Sequence, residues 1–210
     1  MQSQIHICPL CQSNGEEFYN QQFQKCSRCQ SIFRCPEFFI SATKEQARYK
    51  EHNNDINDER YQEFVSPIVE KIITNHLPAE KWLDFWAWTW PVISYLLEKK
   101  WFNPKLYDPF FHDYPDLLEK KYDFIIACEV VEHFFNPKKE FDLLYSLLEP
   151  NGKLYIMTNL YSEKVDFNNW YYKNDKTHVF FYTIWAFKYI KNYWKWTHCE
   201  RQWRCIILEK

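Results

Sequence analysis

Glycine is nearly missing from this chain. Average usage of about 7% would give roughly 15 in a sequence of this length; only Gly15 and Gly152 occur among the 210 residues. Turns that need a bare Cα must therefore be rare, or filled by another residue type. Long apolar runs are lacking too. The longest charge-free apolar stretch, Phe85 to Leu97, falls well short of the roughly 20 residues a bilayer demands, so no membrane partner is expected. Neither charge sign is in excess: 26 basic side chains face 28 acidic ones, a net charge of −2. That excludes a protein that grips nucleic acid by charge alone, and no DNA partner is expected. The opening residues MQSQIHICPL carry neither the basic start nor the long apolar run of a secretory signal, so a cytoplasmic location is expected. Tryptophan, by contrast, occurs 10 times.

Four of the eight cysteines form a pattern, Cys8-Pro-Leu-Cys11 and Cys26-Ser-Arg-Cys29. Two such knuckles suit one tetrahedral Zn²⁺, each presenting two thiolates. Paired disulfides are the rival reading, disfavoured in a reducing compartment. A redox role for a single knuckle is the other. Cys35, Cys128, Cys199 and Cys205 lack such spacing and read as small buried apolar residues. Residues 1–40 balance Lys25, Arg28 and Arg34 against Glu16, Glu17 and Glu37, so a phosphate-gripping ribbon is less expected than a structural one, in which the metal holds a segment too short for its own core.

From Ser41 the chain reads helical to about His52, with Thr43 and Gln46 as a capping box. The polar cluster His52 to Asp58 breaks it as a turn. A second helix places Phe64, Ile68, Ile72 and Leu77 along one face, with Pro67 tolerable near its first turn. Beyond Lys81, strands alternate with helices: Leu83 to Phe85, a helix to Lys100, Lys105 to Asp108, Tyr122 to Cys128, a helix over Lys138 to Leu148, then Lys153 to Thr158. Thr183 to Asn192 reads as a helix and Trp196 to Leu208 as a strand pair. The unbroken apolar run YDFIIAC is what a parallel strand covered on both faces shows. The series predicts an α/β parallel sheet with right-handed crossovers. Three regions follow: a zinc ribbon over 1–38, a helical connector over 39–78 and a Rossmann-like domain over 79–210.

Residues 81–210 resemble the class I S-adenosylmethionine-dependent methyltransferases, and the ribbon fits a zinc-ribbon-bearing branch of them. Tyr122 through Glu129-Val130-Val131-Glu132-His133 is similar to that family's fourth strand and its E-V-x-E-H ending. Leu147 to Leu154 resembles its L-L-x-P-x-G-x-L turn, and Leu106-Tyr107-Asp108 its second strand, whose terminal acid binds the cofactor ribose. The resemblance implies S-adenosylmethionine as cofactor, with Asp84 and the 86–90 loop at its methionine, Asp108 at the ribose, and Cys128 and Glu129 by the adenine or methyl. Tyr122 comes only 14 residues after Asp108, too few for the usual helix-strand-helix, so the third strand is expected to be missing or vestigial.

The first motif departs from the family. Where D-x-G-x-G-x-G is the rule, this chain has Asp84-Phe85-Trp86-Ala87-Trp88-Thr89-Trp90. Trp82 and Trp101 also stand where relatives commonly carry glycine. Two explanations compete. Either Trp86, Trp88 and Trp90 form the apolar face of a strand, with the cofactor site lost and the protein a non-catalytic scaffold; or UGA codons that the source lineage reads as glycine are rendered as tryptophan. The scarcity of one residue, the surplus of the other and the clustering on glycine positions favour the second.

Glu129, Glu132 and His133 would share one face of a helical turn, and His178 follows within Asp175 to Tyr182. The set is similar to metal-dependent 2′-O-methyltransferases of small-RNA ends and some quinone-pathway O-methyltransferases. It implies a divalent ion at Glu129, Glu132, His133 and His178 beside the acceptor hydroxyl. The alternative is metal-free, with His133 as general base and Glu132 and His178 facing the acceptor. The acceptor is expected to be a small molecule rather than RNA. The aromatics Phe167, Trp170, Tyr171, Tyr172 and Phe180 to Tyr182 read as core or a lid, and His6, His76, His112 and His198 as surface residues.

Overall fold

The computed structural model describes residues 4–51 and 55–210. The ribbon comes first. Strands β1 (Gly15–Tyr19), β2 (Phe23–Cys26) and β3 (Ile32–Arg34) pair antiparallel in that order. Both knuckles turn alike: Gln12 N–H donates to Cys8 O and Gln30 N–H to Cys26 O, with φ of 61° and 59° at the two glutamines. Gly15 is small for a reason, since a Cβ there would lie 2.5 Å from Gln24 Oε1.

Helix α1 (Ala42–Glu51) begins just after Ser41, and its cap lies two positions before the expected Thr43. The Ser41 hydroxyl, not Thr43, accepts a first-turn N–H, that of Lys44 at 3.4 Å. Of the polar cluster, His52, Asn53 and Asn54 lie outside the described residues; Asp55 to Asn57 form an Asx turn, Asn57 N–H reaching Asp55 Oδ1 at 2.8 Å. Helix α2 (Glu59–Asn75) is capped by Asp58. Its buried stripe is Val65, Ile68, Val69 and Ile72, while Leu77 lies beyond the helix and is 70% exposed. Pro67 sits in mid-helix rather than in the first turn. Its missing N–H leaves the Glu63 carbonyl without a helical donor, and the Ser66 hydroxyl takes that carbonyl at 2.9 Å.

The remaining elements are β4 (Trp82–Phe85), α3 (Val92–Glu98), β5 (Lys105–Tyr107), β6 (Tyr122–Cys128), α4 (Pro137–Leu147), β7 (Leu148–Met157), β8 (Phe180–Phe181), α5 (Ile184–Trp194), β9 (His198–Gln202) and β10 (Cys205–Glu209). The main sheet runs β5-β4-β6-β7-β10-β9. Its first four strands are parallel, and β10 is antiparallel to both neighbours. It is a mixed α/β sheet, not a wholly parallel one. No third strand intervenes between β5 and β6: an Asp108–His112 bridge and a single 3-10 turn, Pro115–Glu119, fill that interval.

Alternation along β6 divides the interior. Ile125 and Ala127 face a core built with α4 and α5, whereas Phe124, Ile126 and Cys128 face α2 and α3. The first core also takes in Cys8, Leu10, Cys11, Cys26, Cys29 and Phe33 of the ribbon. The ribbon sheet gains its fourth strand, β8, from the far end of the chain. Phe23, Ile32, Phe167, Trp170, Tyr172 and Phe181 form a third buried cluster, so the late aromatics are core; Tyr171 alone among them is exposed, at 63%. His76 is no surface residue either: it packs on Phe124 at 4.1 Å and bonds Tyr155 and Glu80. Among the described residues no helix is long and apolar enough to cross a membrane.

Candidate functional site

The carboxyl ends of β4, β5 and β6 converge, which is where open α/β sheets hold ligands. Asp84 lies within β4, buried, and the Ser94 hydroxyl donates to its Oδ2 at 2.6 Å. Burial pushes its carboxyl up to about 6. Asp108, just past β5, accepts N–H bonds from Trp88 (3.0 Å), Phe110 (2.8 Å) and Phe111 (3.1 Å), which use both carboxylate oxygens. Burial pushes its pKa up, against the pull of those donors, which lower it.

The 86–90 stretch is not a strand. β4 stops at Phe85 and a loop follows in which Trp86 and Trp88 have φ of 59° and 60°. Trp101 and Trp203 share this left-handed conformation at 70° and 52°, while neither glycine has positive φ. A bulky side chain is out of place there, and glycine is the residue such backbone selects. Trp82 is regular strand, fully buried. The Trp88 indole lies across the cleft, 4.7 Å from the Tyr49 ring and 5.3 Å from that of His133. Beside it, the space lined by Tyr61, Asp84, Trp88, Trp90 and Cys128 amounts to about 20 Å³. Ligand pockets of nucleotide size need several hundred. The residues as written do not fit the cofactor that the resemblance implies.

A separate cavity of about 1010 Å³ opens on the other side of Trp88, bounded by α1, α2, Tyr171 to His178 and Arg204. His133 and His178 face it, with ring centroids 4.8 Å apart. His133 Nδ1 meets the Thr177 carbonyl at 3.1 Å and His178 Nδ1 the Tyr172 carbonyl at 2.7 Å. Both bonds place the ring proton on Nδ1 and the lone pair on Nε2. Glu132 is wholly buried, bonded by the Tyr172 and Thr158 hydroxyls, and burial with the nearby Glu129 charge pushes it up to about 8.

Glu132, His133 and His178 offer ligand atoms within 4.8 Å of one another; Glu129 does not join them. Its two carboxylate oxygens both accept from one nitrogen, Nη2 of Arg204, at 2.7 and 2.6 Å. Of the four residues assigned to a divalent ion, three meet. In the ribbon all four assigned thiols meet, each buried, again within 4.8 Å. Cys11 and Cys26 Sγ lie 3.2 Å apart and Cys8 and Cys29 Sγ 3.7 Å apart. That is too long for disulfides, and near the roughly 3.8 Å expected of sulfurs at 2.3 Å from a tetrahedral zinc. Cys35, Cys128 and Cys205 are buried and Cys199 half-buried. Sequence reasoning missed Arg204, Tyr49 and Arg48. None belongs to a motif, and their partners come from distant segments.

The sequence profile of a family described as a methyltransferase domain matches residues 57–190. Among curated proteins none matches significantly. The fold is similar to that of an O-methyltransferase family protein from Burkholderia thailandensis (TM-score 0.50, 9% identity, covering 90% of this chain and 79% of that one). It is also similar to human N-acetylserotonin methyltransferase solved with S-adenosylmethionine (TM-score 0.54, 11% identity, 81% of this chain and 60% of that one). A third is the magnesium protoporphyrin IX methyltransferase of Synechocystis with the same cofactor bound (TM-score 0.50, 15% identity, 82% and 92%). At such identities the likeness is one of fold, and the profile, spanning α2 to α5, carries the assignment: the chain belongs to the methyltransferase-domain family.

Proposed function

We propose that the natural protein is an S-adenosylmethionine-dependent methyltransferase acting on an oxygen of a small-molecule acceptor, and that it carries glycine where this sequence has Trp86 and Trp88. The left-handed φ at both positions carries the reading. With bare Cα atoms there, the small cleft beside Asp84 and the large cavity beside His133 would join. Asp84 would then hold the cofactor's amino end, Asp108 its ribose once the Trp88 peptide releases Oδ2, and Cys128 and Glu129 would flank the adenine or the methyl. The cofactor supplies a methyl on a sulfonium, already electrophilic, so the chain's own task is alignment and proton removal. Nε2 of His133, its lone pair set by the Nδ1 bond to Thr177, would take the acceptor proton. Glu132 and His178 would hold the acceptor, or with His133 a divalent ion.

The S₄ donor set supports structural zinc on Cys8, Cys11, Cys26 and Cys29. Its need for reduced thiols supports a cytoplasmic setting. We read 1–38 as ribbon, 39–78 as connector and 79–210 as the catalytic unit. The similar enzymes include small-molecule methyltransferases, which supports a small acceptor.

One observation favours a second reading, a scaffold that takes no cofactor: the cleft as written is nearly full. Calorimetry with S-adenosylhomocysteine separates the two. The W86G/W88G/W90G variant should bind and the parent should not; failure of both would leave the scaffold. UGG codons at 86 and 88 in the gene would end the glycine proposal.

A further inference from the structure

We infer that Arg34, a ribbon residue, is a positioning residue for the acceptor side of the site: it fastens the segment 173–178 and so fixes His178. The side chain is nearly buried, 6% exposed, with its guanidinium 4.5 Å from the centre of the Phe23 ring. Its fork is spent on main-chain oxygens. Nε–H donates to the His178 carbonyl at 3.4 Å, and Nη2 to those of Lys173 (3.3 Å) and Asp175 (3.5 Å). The backbone adds one more tie, Arg34 N–H to Val179 O at 2.8 Å. Three carbonyls of one tight turn thus point at a single planar cation, an arrangement a lysine ammonium cannot span.

The turn matters because of what it carries. His178 closes it by donating from Nδ1 to the Tyr172 carbonyl. On its outer side Asp175 accepts the Arg48 fork of α1 at 3.0 and 2.9 Å, and Arg48 and Asp175 both line the large cavity. The chain of contacts runs from the thiol knuckles through β3 to Arg34, then to the turn, His178 and α1. The ribbon therefore acts as the fixed wall against which the acceptor pocket is built. This rests on the reading of His178 as facing the acceptor.

The test compares R34A and R34K with the parent, all full-length and loaded with Zn²⁺, by peptide-resolved amide exchange and by the His178 ring resonances. Loss of the fork should speed exchange over 173–178 at least about tenfold. The 122–128 strand and one zinc per chain should stay as in the parent, while the His178 ring signal shifts. Low millimolar guanidinium should restore protection in R34A, and R34K should remain unprotected. Parental protection over 173–178 in R34A would overturn the inference. So would an equal loss across the sheet in both variants, which would mark Arg34 as a general fold residue. Should the turn loosen as described while a glycine-bearing chain still transfers no methyl group to any acceptor, the brace stands and the acceptor reading of His178 falls.

Discussion

The Trp88 N–H donates to Asp108 Oδ2 at 3.0 Å, so the loop after the first sheet strand is tied to the acid after the second. The same residue's indole leans on His133. One residue thus closes the small cleft beside Asp84 and crowds the large cavity beside His133. Truncation to W88G alone should open the cleft, exposing Cys128, now 8% exposed. Faster labelling of that thiol by a small maleimide is the expected result, and an unchanged rate would show that other side chains fill the gap.

Trp101 offers a cleaner test of the glycine positions. It follows α3 at φ 70° and is 87% exposed. Phe102 N–H returns to Leu97 O at 3.2 Å and Trp101 N–H to Glu98 O at 2.9 Å, the pattern of a helix end whose left-handed residue is normally glycine. Little burial is lost on truncation, while the left-handed penalty of about 1 kcal/mol is removed. W101G should raise the melting temperature by roughly 2–4 °C. A lower melting temperature would contradict the backbone argument.

Much of this fold was legible in the sequence because burial on both faces leaves a plain mark. Tyr122 to Cys128 read as a parallel strand, and the short interval to Tyr122 exposed the missing third strand. Local chemistry was less legible. Thr43 and Ser41 are equivalent caps on paper, and only backbone direction chooses Ser41. Pro67 looked like a first-turn residue because its rescue by the Ser66 hydroxyl has no pattern. At the site, the ligand types were visible but not their partners. Arg204 reaches Glu129 from 75 positions away, across a terminal hairpin, so nothing local could tell that Glu129 is engaged.

That pair yields a stability prediction. Glu129 and Arg204 keep only 22% and 14% of their side-chain surfaces. R204M leaves the carboxylate with no guanidinium in a setting where burial already pushes its pKa up. The loss should be about 2–4 kcal/mol in urea unfolding, and E129Q/R204M should recover most of it. Equal costs for the single and double variants would mean the pair contributes nothing beyond packing.

Asp84 sets a pH dependence. Its folded-state value, raised from 3.8 to about 6 by burial, means the folded chain binds the proton more tightly than the unfolded one. The contribution is fully present below the unfolded value and is lost as pH rises through the folded one. Between pH 5 and 8 the parent should lose about 1 kcal/mol from this residue, and D84N should lack that part of the slope. Parallel pH profiles for the two proteins would show that Asp84 stays charged in its pocket.

Zinc removal should unfold more than the ribbon. A free-standing ribbon would melt alone, but here Cys8, Cys11, Cys26 and Cys29 share one core with Leu83, Ile125, Ile156 and Phe187. Thr183, the cap of α5, donates its hydroxyl to the Cys29 carbonyl at 3.1 Å, and the Lys138 N–H of α4 reaches Pro9 O at 3.3 Å. Losing the ion frees four buried thiols that repel as thiolates and pack poorly as thiols, so both helices lose their footing. Metal analysis should find one Zn²⁺ per chain in the parent and none in C26S. Far- and near-ultraviolet dichroism of C26S should show the sheet melting earlier in a single transition, whereas C35S should keep its zinc and its melting point. A C26S protein whose sheet melts at the parental temperature would mean that the ribbon is only an appendage to the core.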